Sequence, residues 1–279
     1  MRFTRAELAR QFLELHHGPK ILVLPNAWDV ASARIFEDAG FPAVGTSSAG
    51  VAFALGYPDG QKIRREEVLD IVRRIAEAVE IPVTADMEAG FGTTPEEVAD
   101  TARAVIAAGA VGMNLEDGDE ERPGFLVELS RQKEIIHAVV EAGAGAGVPF
   151  VLNARTDILL YGMGPAGTRV ARTIERLNAY HEAGAPSLFA PGAKDAETIG
   201  ELVHGVGGPL NILATAGTPS VAELQRLRVA RVSVGSGPMR ATLSFLRRMA
   251  RQFLDEGVFT MMTEDTIPYA DVNRLFRPR

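Results

Sequence analysis

TADMEAGFG, Thr84–Gly92, reads as a buried strand that runs out into acid. Val83, Thr84 and Ala85 suit the interior of a sheet. Asp86 and Glu88 stand two residues apart, so an extended backbone puts both carboxylates on one face. Gly90 and Gly92 let the chain turn, and Pro95-Glu96-Glu97 has the composition of a first helical turn. The helical pattern PEEVADTARAVIAAG (Pro95–Gly109) follows, and then GMNLED (Gly112–Asp117) ends a second strand in Glu116 and Asp117. Strand, turn, helix, strand is one β/α unit.

Moving outward in both directions, the unit repeats. Eight short apolar runs read as strands: Ile21–Asn26, Ala43–Ser47, Val83–Met87, Gly112–Asp117, Phe150–Thr156, Ser187–Pro191, Asn211–Thr215 and Arg231–Gly235. Most are continuous rather than alternating, as strands buried on both faces of a parallel sheet should be. Helical patterns lie between them, among them Asp29–Gly40, Arg65–Val79 and Ala171–Gly184, several closing on Ala-Gly. Eight such units without a dinucleotide fingerprint favour an α/β (β/α)8 TIM-type barrel over an open doubly wound sheet. The barrel is expected over residues 1–240. Residues 241–279 form a C-terminal helical extension, with helix at Ala241–Gly257 and a further piece at Thr263–Phe276.

The 279 residues are 46% hydrophobic and 23% charged, which suits one large globular domain. A net charge of −7 argues against nucleic acid and anionic membranes as partners. There is no cysteine, which excludes disulfides, thiolate metal sites and a catalytic thiol. The amphipathic start MRFTRAELARQF has no apolar signal core, and no run is long enough to span a bilayer, so a cytoplasmic location is expected.

Reactive groups in a barrel belong at the C-terminal strand ends. There the sequence offers Asp86, Glu88, Glu116 and Asp117, hard oxygen donors suited to Mg²⁺ or Mn²⁺ rather than zinc. Helix capping is the competing reading of Asp86 and Glu88. Arg155, inside an apolar strand beside Asn153, needs an anion. That anion is either an internal carboxylate such as Asp157 or the carboxylate of a substrate held by the planar fork. The turn Ser47-Ser48-Ala49-Gly50 offers hydroxyls and N–H groups to the same anion. Trp28 either walls a pocket or packs in the core. No histidine falls at a strand end.

TSSAG (Thr46–Gly50), LGYPDG (Leu55–Gly60), TADMEAGFG, NLEDG (Asn114–Gly118) and NARTD (Asn153–Asp157), in this order and spacing, resemble the isocitrate lyase/phosphoenolpyruvate mutase superfamily. The likeness runs from about Leu24 to the late barrel. It implies an α/β barrel with a Mg²⁺ site on Asp59, Asp86, Glu88 and Glu116, Asp86 being the direct ligand. It implies substrates that are 2-oxo acids or yield their enolates, met by Ser47, Ser48, Ala49, Asn153 and Arg155. It also implies a homotetramer, a dimer of dimers that exchange C-terminal helices.

The chain departs from the lyases of that superfamily in the loop after the fourth strand. Where they carry a catalytic cysteine, it has GDEERPGFLVELS (Gly118–Ser130), with Glu120 and Glu121 as the only substitute acids of note. FAPGAK (Phe189–Lys194) puts Pro191 near the place where phosphoenolpyruvate mutase has a histidine. The resemblance therefore implies a Mg²⁺-dependent carbon–carbon lyase or decarboxylase acting on an oxaloacetate-like 2-oxo acid or dicarboxylate. Tyr57 is the candidate base if the cleavage is of the retro-aldol kind. The alternatives are a phosphonopyruvate hydrolase or mutase, and a 2-oxo acid binder without turnover.

Overall fold

Proline interrupts the first strand, and that interruption closes the barrel. In the computed structural model, which describes residues 3–119, 122, 124–264 and 266–277, Leu22–Leu24 (β1) and Asn26–Ala27 (β2) flank Pro25. Proline has no N–H to give a ladder. Its carbonyl instead accepts from the Gly45 N–H at 2.9 Å. Below it β1 pairs with the last strand; above it β2 pairs with the next.

Nine parallel segments in the order β1-β9-β8-β7-β6-β5-β4-β3-β2 thus make eight staves. After the helix Val30–Asp38 (α2) come β3 (Val44–Thr46), α3 (Ser48–Ala54), α4 (Arg65–Ala78) and β4 (Val83–Asp86). The chain continues through α5 (Pro95–Ala107), β5 (Gly112–Leu115), α6 (Leu129–Gly145), β6 (Val151–Arg155) and α7 (Arg169–Glu182). It closes with β7 (Ser187–Phe189), α8 (Ala196–Gly205), β8 (Leu210–Leu213), α9 (Val221–Arg226) and β9 (Arg231–Ser233). All eight expected strands are present, and the fold is the TIM-type barrel the periodicity predicts.

Asn26 locks the seam. Its Nδ2 donates to the Thr46 carbonyl at 2.7 Å, and its Oδ1 accepts from the N–H groups of Val234 and Gly235 at 2.9 and 2.8 Å. An apolar shell, including Val72, Ile75, Val105, Ile136, Val139 and Leu202, fills the space between staves and helices. The α1 helix (Arg5–Leu15), capped by a Thr4–Glu7 box, lies before the first strand. Its Phe12 is fully buried with its ring 5.9 Å from the Arg231 guanidinium.

The interior of the barrel itself is polar. Asn26, Thr84, Asn114, Asn153, Ser187, Asn211, Arg231 and Ser233 are all buried there. Beyond the barrel, α10 (Gly237–Arg251) and two short helices, α11 (Thr260–Thr263) and α12 (Tyr269–Leu275), run over the surface, and α12 returns against α2. Among the described residues no helix is long and apolar enough to cross a membrane.

Candidate active site

Neither Asp86 nor Glu88 caps a helix. The N-cap of α5 is Thr94, whose hydroxyl accepts from the Glu97 N–H while Glu97 returns the bond. Asp86 instead ends β4 facing the barrel mouth region formed with α3. Its Oδ2 accepts from the Ser48 N–H at 3.0 Å and the Ser48 hydroxyl at 2.7 Å, and its Oδ1 accepts from Asn114 Nδ2 at 3.1 Å. The backbone below is pinned by the Asp86 N–H donating to Thr46 Oγ1 at 2.8 Å.

Glu88 is held in an unfavourable backbone. Its φ is +50°, in the left-handed region that side chains with a Cβ rarely occupy. The surroundings enforce it: the Gln61 N–H donates to its carboxylate at 2.6 Å, and its carbonyl accepts from the Glu116 N–H at 2.9 Å. Such strain costs of order 1–3 kcal/mol and persists where neighbouring contacts over-determine the geometry. Gly90 follows at φ +94°, where a Cβ would stand 2.6 Å from Val98, so the turn demands glycine.

Arg155 pairs with two acids. One guanidinium nitrogen lies 2.5 Å from Glu116 and Nε lies 2.6 Å from Asp157. Burial works against its charge, but Glu116 and Asp157 outweigh it and hold the guanidinium charged. Glu116 is pushed well above the ordinary carboxylate range by burial; Arg155 opposes this, while Asp157, Asp86 and Glu88 add to it. Asp59, on the exposed loop after α3, is raised by partial burial, opposed by the Gly60 N–H, with the charge of Asp86 raising it further. These carboxylates are thus near enough to repel one another.

Asp117 has another task. It is fully buried, accepts from Arg176 Nε at 2.9 Å and Tyr180 Oη at 2.6 Å, and takes the Asp157 N–H at 3.0 Å. Burial pushes its carboxyl up and Arg176 opposes that. It ties the loops after β5 and β6 to α7.

The remaining candidates are distributed around this centre. Ser47 caps α3 by accepting from the Gly50 N–H at 3.1 Å, and Ala49 is buried in the same turn. Trp28 is half-buried against the core, and a Cβ on Gly50 would meet it at 3.1 Å. The Tyr57 hydroxyl donates to Glu67 at 3.4 Å. Asn153 is buried inside the barrel, bonded to Asn114 and Ser187. Glu120 and Glu121 lie outside the described residues.

Tyr161 emerges only in three dimensions. Tyr161 is exposed on the loop after β6, its phenol pushed up by partial burial and then by Asp157, with Glu116 and Asp59 acting the same way and Arg155 against them. Its place six residues after Arg155 in the NARTD loop is the only trace of it in the sequence. A cleft of ≈ 390 Å³, bordered by Ala89, Thr93, Glu116, Asp119 and Arg131, opens beside Glu116.

The charge of Asp86 acts on both Asp59 and Glu116 and that of Glu88 on Glu116, and oxygen donors grouped in this way suit a divalent cation by charge and by hardness. Among the described residues no three acids converge closely enough to share one ion as they stand. Magnesium takes one or two carboxylates directly and keeps water at its other positions, so a site for it need not gather three acids.

A parallel barrel whose strand ends gather acids and one arginine has the layout of a TIM-barrel site at the C-terminal strand ends. The chain belongs to the phosphoenolpyruvate phosphomutase family, whose model matches residues 12–254, and so to the isocitrate lyase/phosphoenolpyruvate mutase superfamily. A Burkholderia cenocepacia protein solved as a candidate lyase/mutase is 39% identical over 98% of this chain and 97% of its own, with a TM-score of 0.91. The 2-methylisocitrate lyase of Escherichia coli is 32% identical, covering 75% of this chain and 71% of its own. Oxaloacetate decarboxylase 2 of Pseudomonas putida is 27% identical over 88% and 81% respectively.

Proposed function

We propose that the protein is a Mg²⁺-dependent lyase that cleaves the carbon–carbon bond one carbon removed from the carbonyl of a small 2-oxo acid, with oxaloacetate decarboxylation as the reaction. The observation that carries this reading is the composition of the mouth. It holds Asp59, Asp86, Glu88, Glu116 and Arg155, in a chain that has no cysteine. Decarboxylation needs no base to start it: the C3–C4 bond of oxaloacetate breaks, its electron pair becomes the C2=C3 bond, the carbonyl π pair moves onto the C2 oxygen, and C4 leaves as CO₂. What remains is an enolate that must be held and then protonated.

A magnesium ion bound by these carboxylates, with Asp86 as direct ligand, would supply Lewis-acid stabilisation, a contribution of several kcal/mol. Arg155 would read the substrate carboxylate, and the Ser47–Ala49 turn its oxo side. Trp28 would wall the pocket. Tyr161, a phenol kept protonated at neutral pH by partial burial and then by the charge of Asp157, is the donor assigned to the enolate. Tyr57 is tied to Glu67.

The test is to incubate the protein and Mg²⁺ with oxaloacetate, 2-methylisocitrate and phosphonopyruvate in parallel, assaying pyruvate, succinate and phosphate. Pyruvate from oxaloacetate is expected. Succinate from 2-methylisocitrate should stay below about one turnover per second, the low end of ordinary enzymes, because no thiol is available as acid. Phosphate from phosphonopyruvate would assign the phosphorus–carbon reaction instead. Binding of the 2-oxo acid without any product would make the protein a binder.

A further inference from the structure

We propose that Ser187, Asn153 and Asn114 form a one-way chain of hydrogen-bond donors that crosses the barrel interior and orients Asp86. The proposal rests on the reading of Asp86 as the metal ligand.

The chain runs through four adjacent staves. On β7 the Ser187 hydroxyl donates to Asn153 Oδ1 at 2.7 Å. On β6, Asn153 Nδ2 donates to Asn114 Oδ1 at 2.8 Å. On β5, Asn114 Nδ2 donates to Asp86 Oδ1 at 3.1 Å at the end of β4. The direction follows from the chemistry. An amide has one accepting and one donating end. The Asp86 carboxylate can only accept, so Asn114 must turn its N–H₂ to Asp86 and its Oδ1 to Asn153. Asn153 must then turn its N–H₂ to Asn114 and its Oδ1 to Ser187, whose hydroxyl donates.

Arg231 reinforces this sense from β9, its Nη2 donating to the same Asn114 Oδ1 at 3.4 Å. The register sets the geometry: Asn114 is the in-register partner of both Asp86 and Asn153, and Asn153 of Ser187. All three donor residues are buried, so water does not compete for the links. Ser48 takes the other oxygen of Asp86. The carboxylate is therefore fixed at both ends before any ligand arrives, and such outer partners typically carry 10–100-fold in metal affinity.

Mg²⁺ binding to the full-length chain, measured by calorimetry alongside the KM and kcat for oxaloacetate, tests the proposal. Asn153→Leu, which keeps the γ-branched shape and ends the relay, is expected to weaken Mg²⁺ at least about tenfold. Ser187→Ala, the mild variant that keeps the question answerable if Asn153→Leu fails to fold, should weaken it about threefold. Because the links act in series, adding Ser187→Ala to Asn153→Leu should cost nothing further. Ile199→Val, in α8 and outside the chain, lowers the melting temperature through lost packing and should bind Mg²⁺ as wild type does.

If Ser187→Ala and Asn153→Leu melt earlier yet bind Mg²⁺ like wild type, or if their losses simply add, the residues are packing partners and the proposal falls. A wild-type chain that binds no Mg²⁺ overturns the functional reading itself, and the proposal with it. That outcome is told apart because it shows before any variant is made.

Discussion

At the scale of the residue, Asp86 is saturated with donors: the Ser48 N–H, the Ser48 hydroxyl and the Asn114 amide. Asn in its place would turn an N–H₂ toward one of those donors, leaving an unmatched pair that costs about 1–3 kcal/mol. It would also remove one charge from a group of mutually repelling acids, which offsets part of that cost. Asp86→Asn is therefore expected to fold and to lose metal-dependent ligand binding. Calorimetry with Mg²⁺ measures it, and an unchanged Mg²⁺ dependence would exclude Asp86 as the direct ligand. Arg155 is the second test at this scale. Its planar fork spans Glu116 and Asp157 at 2.5 and 2.6 Å, which a lysine's single ammonium cannot reproduce. Arg155→Lys should raise the KM for oxaloacetate about tenfold or more, the worth of one charge-assisted hydrogen bond. Binding at wild-type strength would leave the arginine as an internal ion-pair partner only.

At the scale of the element, α1 makes a prediction that depends on pH. His16, at its C-cap, donates from Nδ1 to the Phe12 carbonyl at 2.7 Å and is buried edge-on against the Phe12 ring. Burial first, then the charge of Arg231, pulls its pKa down to about 3 from 6.5; the Phe12 carbonyl works the other way, and His17 adds a small push down. The fold therefore holds the neutral ring. As pH falls below about 6.5 the unfolded chain takes up a proton the native chain refuses, so stability is complete above that pH and is lost progressively toward pH 3. At pH 5 the loss from this one group is about 2 kcal/mol. Unfolding free energies from urea titrations at pH 8 and pH 5 should differ in wild type by that much more than in His16→Asn. Equal differences would show that His16 is protonated in the fold. The same elements show what sequence could reveal. The eight staves were legible because parallel strands buried on both faces read as continuous apolar runs, and α5 because Pro95, Glu96 and Glu97 announce its start. The acid strand ends were legible as positions, but not their partners. Glu116 and Asp117 are neighbours in sequence, yet one turns to Arg155 and the other to Arg176 and Tyr180 on a helix some 60 residues later. The polar barrel interior was equally hidden. Asn114 meets Asn153 and Arg231 across strands, and a single apolar run with one polar residue in it gives no sign of which neighbour will meet it.

At the scale of the whole molecule, the barrel is complete at β9, and the segment beyond it has more apolar surface than it uses. Leu243, Phe245, Leu246, Leu254, Phe259, Met262 and Tyr269 are all exposed, while only Met239 of α10 is buried. Phe253 and Phe259 pack on each other at 5.2 Å, and α12 turns back to α2, so part of the tail is satisfied within the chain. The rest forms a contiguous stretch of amphipathic helix, and patches of that kind mark interaction surfaces. A second copy of the chain is the partner best matched to it: two such helices exchanged between subunits would each bury the other's apolar face, and closed symmetry would use the same patch on both. We propose a homo-oligomer held by residues 241–279, a homotetramer of two exchanged pairs. Light scattering on the full-length chain at micromolar concentration is expected to give a mass well above 29.9 kDa. Truncation before Ala241 should yield a monomer, or a species that aggregates because the remaining turn of α10 and the surface it covered are laid open. A soluble full-length monomer at that concentration would defeat the proposal, since it would show that water tolerates this apolar face without a partner.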